Sequence, residues 1–344
     1  MSLQAPDSVV MVRPLRFAPN AETAADNFFQ ARTVASSASL ADAAYREVTL
    51  VAQELADRGV EVHLFDDPLD HRPDSVFPNN WFSTHPDGRV ALYPMYAPNR
   101  RSERRSDIIA VLRREFRVVS VHDYSVLEDD EMYLEGTGAM VLDHVQGIAY
   151  VARSLRSDDR AVDVVCGDLG YETVMFATRD LRGRPIYHTN VMMAVGSSVA
   201  LVALDAIADE EERRSVQGSL RASGHEVVEL SLSQVDAFAG NAIEVMTGRG
   251  PVLVMSARGF ESLEPAQLRV ISEHVEILPI RVPTIELAGG SVRCMVAGIH
   301  LARRAQRFAA RSGALRFWSV AAPAGGDVSL VPPAPALASS GVGQ

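Results

Sequence analysis

Lysine is absent from the 344-residue sequence, so all 33 of its basic residues are arginines. A Walker-A phosphate-binding loop, a Schiff-base lysine and ordinary pyridoxal phosphate chemistry all require a lysine, and the sequence excludes them. No GxGxxG segment opens a strand–helix unit, which leaves a dinucleotide cofactor without support. The usual metal-binding patterns, such as HExxH or paired CxxC, are missing too. We therefore expect neither an organic cofactor nor a metal.

Long apolar runs and an excess of positive charge are missing as well. No apolar run reaches about 18 residues, the length that crosses a membrane, and a formal net charge of −11 opposes binding to nucleic acid. The first residues lack the charged and apolar regions of a secretory signal. Two cysteines do not build a disulfide framework. These features favour a cytoplasmic protein that binds neither a membrane nor nucleic acid.

The chain does contain an internal repeat. Strand-like apolar runs recur at regular intervals, and their anchors Leu92, Tyr150, Val202 and Val254 stand 58, 52 and 52 residues apart. A helical pattern follows most of the runs, such as residues 106–116, and then a second β-rich run. Another strand precedes each anchor. The repeat therefore predicts an α/β fold of about five ββαβ units, each roughly 55 residues long.

Polar residues recur at one position of this repeat, in the segment before each anchor. Equivalent positions in successive units are equivalent in space, so units closed into a ring would direct these residues at one centre. Ordinary loop residues at chance spacings are the alternative interpretation. The residues that precede an anchor by 12, 15, 14 and 13 positions are Asn80, Glu135, His188 and Asn241.

A cysteine occupies the corresponding position of the last unit. Cys294 follows Gly289 and Gly290, and glycines of this kind allow a tight turn and a close approach of a ligand to the backbone. A buried structural cysteine is the alternative interpretation. If a histidine accepts its proton and a carboxylate orients that histidine, the thiol can act as a nucleophile.

The order of these motifs resembles the guanidino-group-modifying superfamily, which includes arginine deiminase, dimethylarginine dimethylaminohydrolase and the amidinotransferases. Within it, the chain looks most similar to the citrulline-utilisation hydrolase branch. The resemblance covers about residues 8–320 and rests on MVRPLRF, FPNNWFSTH, LYPMYAPNRRSERR, LEGTG, YHTNVMM and GGSVRCM. It implies a five-bladed α/β propeller of ββαβ modules with pseudo-fivefold symmetry.

The resemblance also implies roles for the matched residues. Cys294 attacks the guanidino or ureido carbon to form a covalent intermediate, and His188 protonates the leaving amine and then activates water. Glu135 holds His188 or a substrate nitrogen. Two arginines grip the substrate carboxylate, although a solvated charge cluster is their alternative interpretation. The residues expected to bind the substrate are Arg100, Arg156, Asp74, Asn79, Asn80, Asn190 and Asn241.

Departures from the superfamily pattern bear on the substrate. Where deiminases place aspartates against a cationic guanidinium, this chain has Asn80 and Asn190, and Gly138 replaces the aspartate of a glycine-rich turn. A buried guanidinium without carboxylate partners is costly. Amides both donate and accept hydrogen bonds, and so they suit a neutral ureido group. We expect hydrolysis of citrulline, or a close relative, to ornithine, ammonia and carbon dioxide.

Two other functions stay open on the sequence. One is a hydrolase, deiminase or amidinotransferase that acts on a guanidino substrate such as arginine. The other is a non-catalytic propeller that binds a partner, which would not need the cysteine, histidine and glutamate of the repeat. We expect one catalytic domain over residues 1–325 and a poorly ordered Ala/Pro/Gly/Ser-rich tail over 326–344. A homodimer is one option for the assembly.

Overall fold

The computed structural model describes residues 4–31, 33, 36–69, 71–304, 314–318 and 330–331. In chain order its strands are β1 (Ser8–Pro14), β2 (Glu61–Asp67), β3 (Phe82–Thr84), β4 (Arg89–Leu92), β5 (Ser120–Asp123), β6 (Met140–Asp143), β7 (Ile148–Arg153), β8 (Glu172–Ala177), β9 (Met193–Val195), β10 (Val199–Val202), β11 (Glu226–Glu229), β12 (Ile243–Thr247), β13 (Gly250–Ser256), β14 (Glu276–Ile280), β15 (Ala297–Gly298), β16 (Leu315–Trp318) and β17 (Leu330–Val331). Its α-helices are α1 (Ser37–Asp57), α2 (Ser106–Glu115), α3 (Gly136–Ala139), α4 (Asp159–Leu169), α5 (Glu210–Ala222), α6 (Leu232–Asp236), α7 (Ala257–Glu261), α8 (Pro265–His274) and α9 (Pro283–Glu286).

The strands of the described residues form five sheets of three or four strands, and the fold is a mixed α/β one. In four sheets an antiparallel pair is followed by a helix and a parallel third strand: β3–β4–α2–β5, β6–β7–α4–β8, β9–β10–α5–β11 and β12–β13–α8–β14. The predicted ββαβ order is therefore present in each of these modules. Their anchor residues all lie in the second strand of the module.

The fifth module draws its strands from both ends of the chain. β1 pairs in parallel with β2 across α1, and it pairs antiparallel with β15, where Val9 faces Gly298. All seven residues of β1 are buried. A strand that is covered on both faces has a nearly continuous apolar sequence. This is why apolar and polar residues do not alternate in SVVMVRP. The segment that carries Cys294 is in this way attached to the first strand of the chain.

The module helices cover the outer strands with one apolar face each. In α5, Val216 and Leu220 are buried, while three glutamates occupy its first turn. The side chain of Asp209 accepts hydrogen bonds from the backbone N–H groups of Glu211 and Glu212, so it satisfies donors that a helix start leaves open. Helix caps and burial on one face leave a recognisable pattern in the sequence, and this is why the sequence predicts the helices.

The C-terminal strands extend two of the sheets. β16 lies parallel to β2, and β17 lies parallel to β5. Leu330–Val331 belongs to the tail that the sequence predicts to be poorly ordered, and its backbone pairs with β5. Poor order in the tail stays a prediction. The remaining residues of the predicted tail, 326–329 and 332–344, lie outside the described residues. Across the described ranges, no helix combines the length and apolar character needed to span a bilayer.

Candidate active site

The site is built from turns that precede the first strand of the modules. Pro78–Asn80 forms a 3₁₀ turn before β3, α3 precedes β6, and Thr189–Val191 forms a 3₁₀ turn before β9. Before β15, the backbone N–H of Cys294 donates to the carbonyl oxygen of Ser291 at 3.0 Å. The polar positions of the repeat therefore lie in structurally equivalent turns, although consecutive ones, from Asn80 to Cys294, are 53 to 55 residues apart in the chain.

A buried carboxylate and imidazole form the first half of the site. Nε2 of His188 lies 2.9 Å from Oε2 of Glu135, and both side chains are no more than 1% exposed. The backbone N–H of Tyr96 donates to the other oxygen of Glu135 at 3.2 Å. A carboxylate accepts hydrogen bonds, so Nε2 of His188 carries the hydrogen and Nδ1 keeps its lone pair. The imidazole is thus oriented to receive a proton at Nδ1.

Two buried arginines set the charge of this pair. Nη1 of Arg100 lies 3.1 Å and Nη1 of Arg156 3.3 Å from Oε2 of Glu135. Burial alone would raise the pKa of Glu135, but the charges of Arg156 and Arg100 and the bond from His188 hold it well below its usual value. Burial lowers the pKa of His188 to about 4, against the opposing effect of Glu135. At neutral pH the pair is therefore a carboxylate and a neutral imidazole.

The cysteine and two amides form the second half of the site. Nδ2 of Asn190 lies 3.4 Å and Nδ2 of Asn241 3.2 Å from Sγ of Cys294. The Asn241 side chain is fixed at its other end, because its Oδ1 accepts from the backbone N–H of Arg293 at 3.0 Å. Two amide donors directed at one sulfur stabilise a thiolate, which is the nucleophilic form of cysteine.

The two halves are joined through the neighbours of His188. His188 begins the same 3₁₀ turn that carries Asn190. The ring of Tyr187 packs on that of His188 with centroids 4.4 Å apart, and its hydroxyl donates to the carbonyl oxygen of Gly289 at 2.5 Å. Gly289 has a φ of +79°, which favours glycine, at the start of the cysteine loop. These contacts hold the imidazole and the thiol segments against one another.

A row of polar side chains continues from Arg100. Its Nη2 donates to Oδ1 of Asn80 at 3.0 Å, and Nδ2 of Asn80 donates to Oδ1 of Asn79 at 3.1 Å. Oδ2 of Asp74 accepts from Asn20 at 2.8 Å and lies 3.6 Å from Nε of Arg100. Within the described part of the chain, Oδ1 of Asp74 and Nδ2 of Asn79 are buried and without a hydrogen-bond partner. An acceptor and a donor are thus left for a ligand to satisfy.

Gly138 explains why the glycine-rich turn lacks an aspartate. A Cβ at this position would stand 2.8 Å from Nδ1 of His188 and would overlap Nδ2 of Asn80. No side chain fits there while the amide and the imidazole keep their places. A glycine at position 138 is therefore needed as long as Asn80 occupies its present place.

The two arginines expected to grip a substrate carboxylate already have carboxylate partners. Arg156 makes a bidentate pair with Asp26, with Nε to Oδ2 at 2.7 Å and Nη2 to Oδ1 at 2.8 Å. Arg100 makes a similar pair with Glu103, at 3.1 and 3.0 Å. Burial raises the pKa of Glu103 to about 7 despite the charge of Arg100. A ligand carboxylate would have to compete with these groups.

Residues 15–31 cover the site, and the sequence analysis missed them. Besides Asp26, this covering segment contributes Asn20, which binds Asp74, and Asn27, whose Nδ2 donates to the carbonyl oxygen of Ala288 at 3.2 Å. Cys294 is 2% exposed, so its sulfur is almost completely shielded from solvent in this conformation. The segment lies outside the repeat, and its one visible signal is a set of polar residues among apolar ones in PNAETAADNFF.

Within the described ranges, no group of histidine, cysteine, aspartate and glutamate side chains is arranged to hold a metal ion. The set of a thiol, an imidazole, a carboxylate and several amides is instead suited to covalent nucleophilic chemistry. A neutral imidazole can take the thiol proton, and the amides can hold the negative charge that develops.

A family model described as N,N dimethylarginine dimethylhydrolase, eukaryotic, matches residues 13–301. The chain belongs to this family. It is accordingly a hydrolase that acts on carbon–nitrogen bonds within the guanidino-group-modifying superfamily, which sets aside the non-catalytic alternative. No significant match was found among curated protein sequences.

Solved structures share the fold at low identity. One is the N-terminal domain of ArgZ from Cyanobacteria, in an asparagine-to-serine variant covalently bound to a reaction intermediate: 16% identity, TM-score 0.64, covering 85% of this chain and 97% of that one. Of full-length ArgZ the chain covers 39%. DDAH from Pseudomonas aeruginosa, in a cysteine-to-serine variant complexed with citrulline, shows 14% identity and a TM-score of 0.56, covering 86% and 100%. A cysteine nucleophile fits the use of cysteine variants in these neighbours.

Proposed function

We propose that this hydrolase acts on the ureido carbon of citrulline, or of a close relative, and releases ornithine, ammonia and carbon dioxide. The observation that carries the proposal is the pair of amide donors on the cysteine sulfur, from Asn190 and Asn241. Neutral amides stabilise a thiolate without placing a second negative charge beside it. A neutral ureido group can be held by hydrogen bonds and does not require an ion pair.

The proposed reaction has two stages. In the first, Sγ of Cys294 bonds to the ureido carbon, the carbon–NH₂ bond breaks, and the thiol proton leaves on ammonia by way of His188. The product is a thiocarbamate that joins the ornithine nitrogen to the enzyme. In the second, water adds to the same carbon, the carbon–sulfur bond breaks and the thiol regains a proton. The released carbamate then splits into ornithine and carbon dioxide.

Glu135 and His188 support both stages as a general-base pair. His188 enters the reaction as a neutral imidazole, because burial lowers its pKa to about 4. When it takes the thiol proton, the resulting cation is stabilised by the Glu135 carboxylate at 2.9 Å. After the same imidazole has protonated the leaving NH₂ group, it is neutral again and can activate water.

Asp74 and Asn79 are proposed to orient the ureido group. Oδ1 of Asp74 accepts a ureido N–H, and Nδ2 of Asn79 donates to the ureido oxygen; both atoms are buried and without partners in the described chain. Asn80 supports Asn79 through a bond of 3.1 Å. Satisfying two buried polar atoms at once favours a substrate that offers both a donor and an acceptor.

Arg156 and Arg100 are proposed to hold the substrate carboxylate, as the resemblance implies. Asp26 occupies the bidentate edge of Arg156, so a substrate carboxylate binds there by taking its place. This exchange links substrate binding to movement of the covering segment. Arg100 is the less open of the two, because Glu103, Glu135 and Asn80 all bind it.

A guanidino substrate such as arginine is the second candidate. The partnerless oxygen of Asp74 favours it, since a carboxylate next to the reacting group would pair with a guanidinium. Two neighbours point the same way: ArgZ is described as an arginine dihydrolase, and AgrE was solved with L-arginine at 15% identity and a TM-score of 0.65. Arginine would lose one ammonia by hydrolysis to reach the ureido stage of citrulline, and a second hydrolysis would then release ornithine.

Product stoichiometry separates the two candidates. The purified enzyme is offered citrulline, arginine or agmatine. Ammonia is measured together with ornithine, or with putrescine when agmatine is the substrate. Citrulline hydrolysis releases one ammonia per ornithine, whereas full arginine hydrolysis releases two. Turnover of citrulline alone supports the ureido proposal. Turnover of arginine with none of citrulline overturns it.

We further propose that the five sheets are the blades of a closed propeller with pseudo-fivefold symmetry, forming one catalytic domain over residues 1–325. Five ββαβ modules and the pairing of β15 with β1 support this arrangement. A small-angle scattering profile of a compact particle tests it; an extended profile with two separate bodies would contradict it.

A further inference from the structure

A small polar cavity, lined in part by Arg293, the residue before the cysteine, lies outside the site described above. Its volume is about 50 Å³, enough for one or two water molecules or a small ion. Residues of β6, β9 and β12 line it, together with the N-terminal segment. Its polar lining residues are Gln4, His144, Glu244, Arg293 and His300.

Arg293 has no carboxylate partner among the described residues. Its side chain makes one hydrogen bond there, from Nη1 to the carbonyl oxygen of Val296 at 2.8 Å. Burial lowers its pKa to about 10, with only Cys294 opposing the shift. A guanidinium has five N–H donors, so most of those on Arg293 are directed at the cavity or at solvent. Arg100 and Arg156, by contrast, are each held by two or more carboxylates.

Two histidine rings stand beside Arg293 in the cavity lining. His144 and His300 pack with centroids 3.9 Å apart, and Nδ1 of His144 lies 2.8 Å from the hydroxyl of Tyr171. Burial, together with the charges of His300, His85 and Arg293, holds the pKa of His144 well below its usual value. His144 is therefore neutral at neutral pH, which leaves the guanidinium of Arg293 as a positive group without a carboxylate partner in the described part of the lining.

The other polar groups of the cavity are satisfied by the chain itself. Nε2 of Gln4 donates to the carbonyl oxygens of Leu142 and Val195, at 3.0 and 2.8 Å. One oxygen of Glu244 accepts from the backbone N–H of Ser197 at 2.9 Å, and the other accepts from the hydroxyl of Ser197. Glu244 is thus turned toward Ser197, and Arg293 is left as the group in need of a counter-charge.

We propose that this cavity binds a small monoanion on Arg293, either a halide or a planar oxyanion such as bicarbonate or formate. A volume of about 50 Å³ admits an ion of this size but not a larger organic anion. One negative charge offsets the unpaired guanidinium. The backbone N–H of Arg293 bonds Asn241, which bonds the sulfur of Cys294, so the bound anion lies one residue from the nucleophile.

Bromide identifies the site directly. Crystals of the full chain grown or soaked in sodium bromide are measured at the bromine absorption edge. We expect an anomalous peak in hydrogen-bonding contact with the guanidinium of Arg293 and next to His144 and His300. Anomalous peaks on the protein surface with none in this cavity would overturn the proposal.

Thermal unfolding distinguishes the candidate anions in solution. At constant ionic strength, chloride, bicarbonate or formate replaces gluconate, which is too large for the cavity. We expect a saturable rise in Tm with one or more of the small anions, which identifies the preferred ion, and no rise in Arg293→Gln. The exposed Arg249→Gln keeps the wild-type response.

Glu244→Gln provides a gain-of-binding test that does not depend on the Arg293 variant folding. Removing a like charge from the cavity should lower the half-saturating anion concentration about threefold or more. Unchanged saturation in Glu244→Gln, or an identical Tm rise in a folded Arg293→Gln protein, would show that no anion binds at this place.

Discussion

At the residue scale, the site depends on the different environments of its two cysteines. The sulfur of Cys294 receives two amide N–H groups, whereas the thiol of Cys166 in α4 packs in an apolar cluster and lies 3.7 Å from Sδ of Met140. Burial raises the pKa of Cys166 to about 12. Only one of two buried thiols is therefore equipped to react.

This contrast predicts the outcome of cysteine replacement. Cys294→Ser should lower kcat by about a thousandfold or more, because serine is a far weaker nucleophile here. Cys166→Ser is the matched control and should keep near-normal kcat. Mass spectrometry after treatment with 2-chloroacetamidine should find the label on Cys294. Equal labelling of both thiols would count against a special role for Cys294.

The buried imidazole predicts a pH dependence of stability. The pKa of His188 is lowered from 6.5 to about 4, so between these values the unfolded chain binds a proton that the folded chain does not. The contribution of the neutral imidazole to the free energy of unfolding is complete above pH 6.5, and it is lost as the pH falls toward 4. This contribution amounts to about 1–3 kcal/mol.

Urea unfolding at several pH values checks this. His188→Gln should show a shallower fall in the free energy of unfolding between pH 6.5 and 4, while the exposed His274→Gln should follow the wild type. Parallel curves for wild type and His188→Gln would mean that His188 titrates normally in the folded protein.

At the scale of the element, short turns rather than long helices determine the geometry of the site. The four-residue helix α3 carries Glu135 at its start and Gly138 beneath the imidazole. Such a turn tolerates no side chain on its inner face, since the ring of His188 and the amide of Asn80 already fill the space. Its sequence, GTGA, is explained by this close approach.

Gly138→Ala should reduce activity without unfolding the protein. The added methyl group displaces Asn80 and His188 by a few tenths of an ångström or more, which should cost about 10- to 100-fold in kcat/KM. Gly167→Ala in α4 is the matched control, because a Cβ there meets nothing within 4 Å and alanine favours a helix. Equal activity of the two variants would contradict the packing argument.

The covering segment makes a prediction about substrate affinity. Asp26→Asn removes the charge that competes for Arg156, so the KM for citrulline should fall about threefold or more. N-carbamoylputrescine, which lacks the carboxylate, should show no such gain. A parallel change in KM for both compounds would mean that Asp26 holds the cover in place and does not compete with the substrate.

At the scale of the whole molecule, β1 connects the two ends of the described chain. It is the strand between β15, next to the cysteine loop, and β2, and it is buried throughout. Damage to this strand should therefore disturb the site as well as the sheet. The surrounding core includes Val9, Met11 and Cys294 in one cluster.

Val10→Asp tests that dependence. Val10 is fully buried and pairs with Ala297, so an aspartate there leaves an unpaired charge in the core and should cost about 3 kcal/mol or more. Val119→Asp, at 74% exposure, is the matched control and should unfold like the wild type. The measurement is Tm by circular dichroism; similar Tm values for both variants would be inconsistent with a central role for β1.

The sequence by itself determined the repeat, the order of strands and helices, and the polar position before each first strand. These are local properties: an apolar run, a cap or a glycine turn acts on neighbours in the chain, and periodicity reports burial. Asn80, Glu135, His188 and Asn241 could therefore be found by counting residues from the anchors.

Only the tertiary structure decided how these groups are charged, covered and paired. Asp26 meets Arg156 across 130 positions of sequence, and no local pattern encodes that contact. The same holds for Arg293, which has no carboxylate partner among the described residues, and for the pairing of β15 with β1. The energy of a buried charge depends on everything packed around it, and that environment exists only once distant segments have come together.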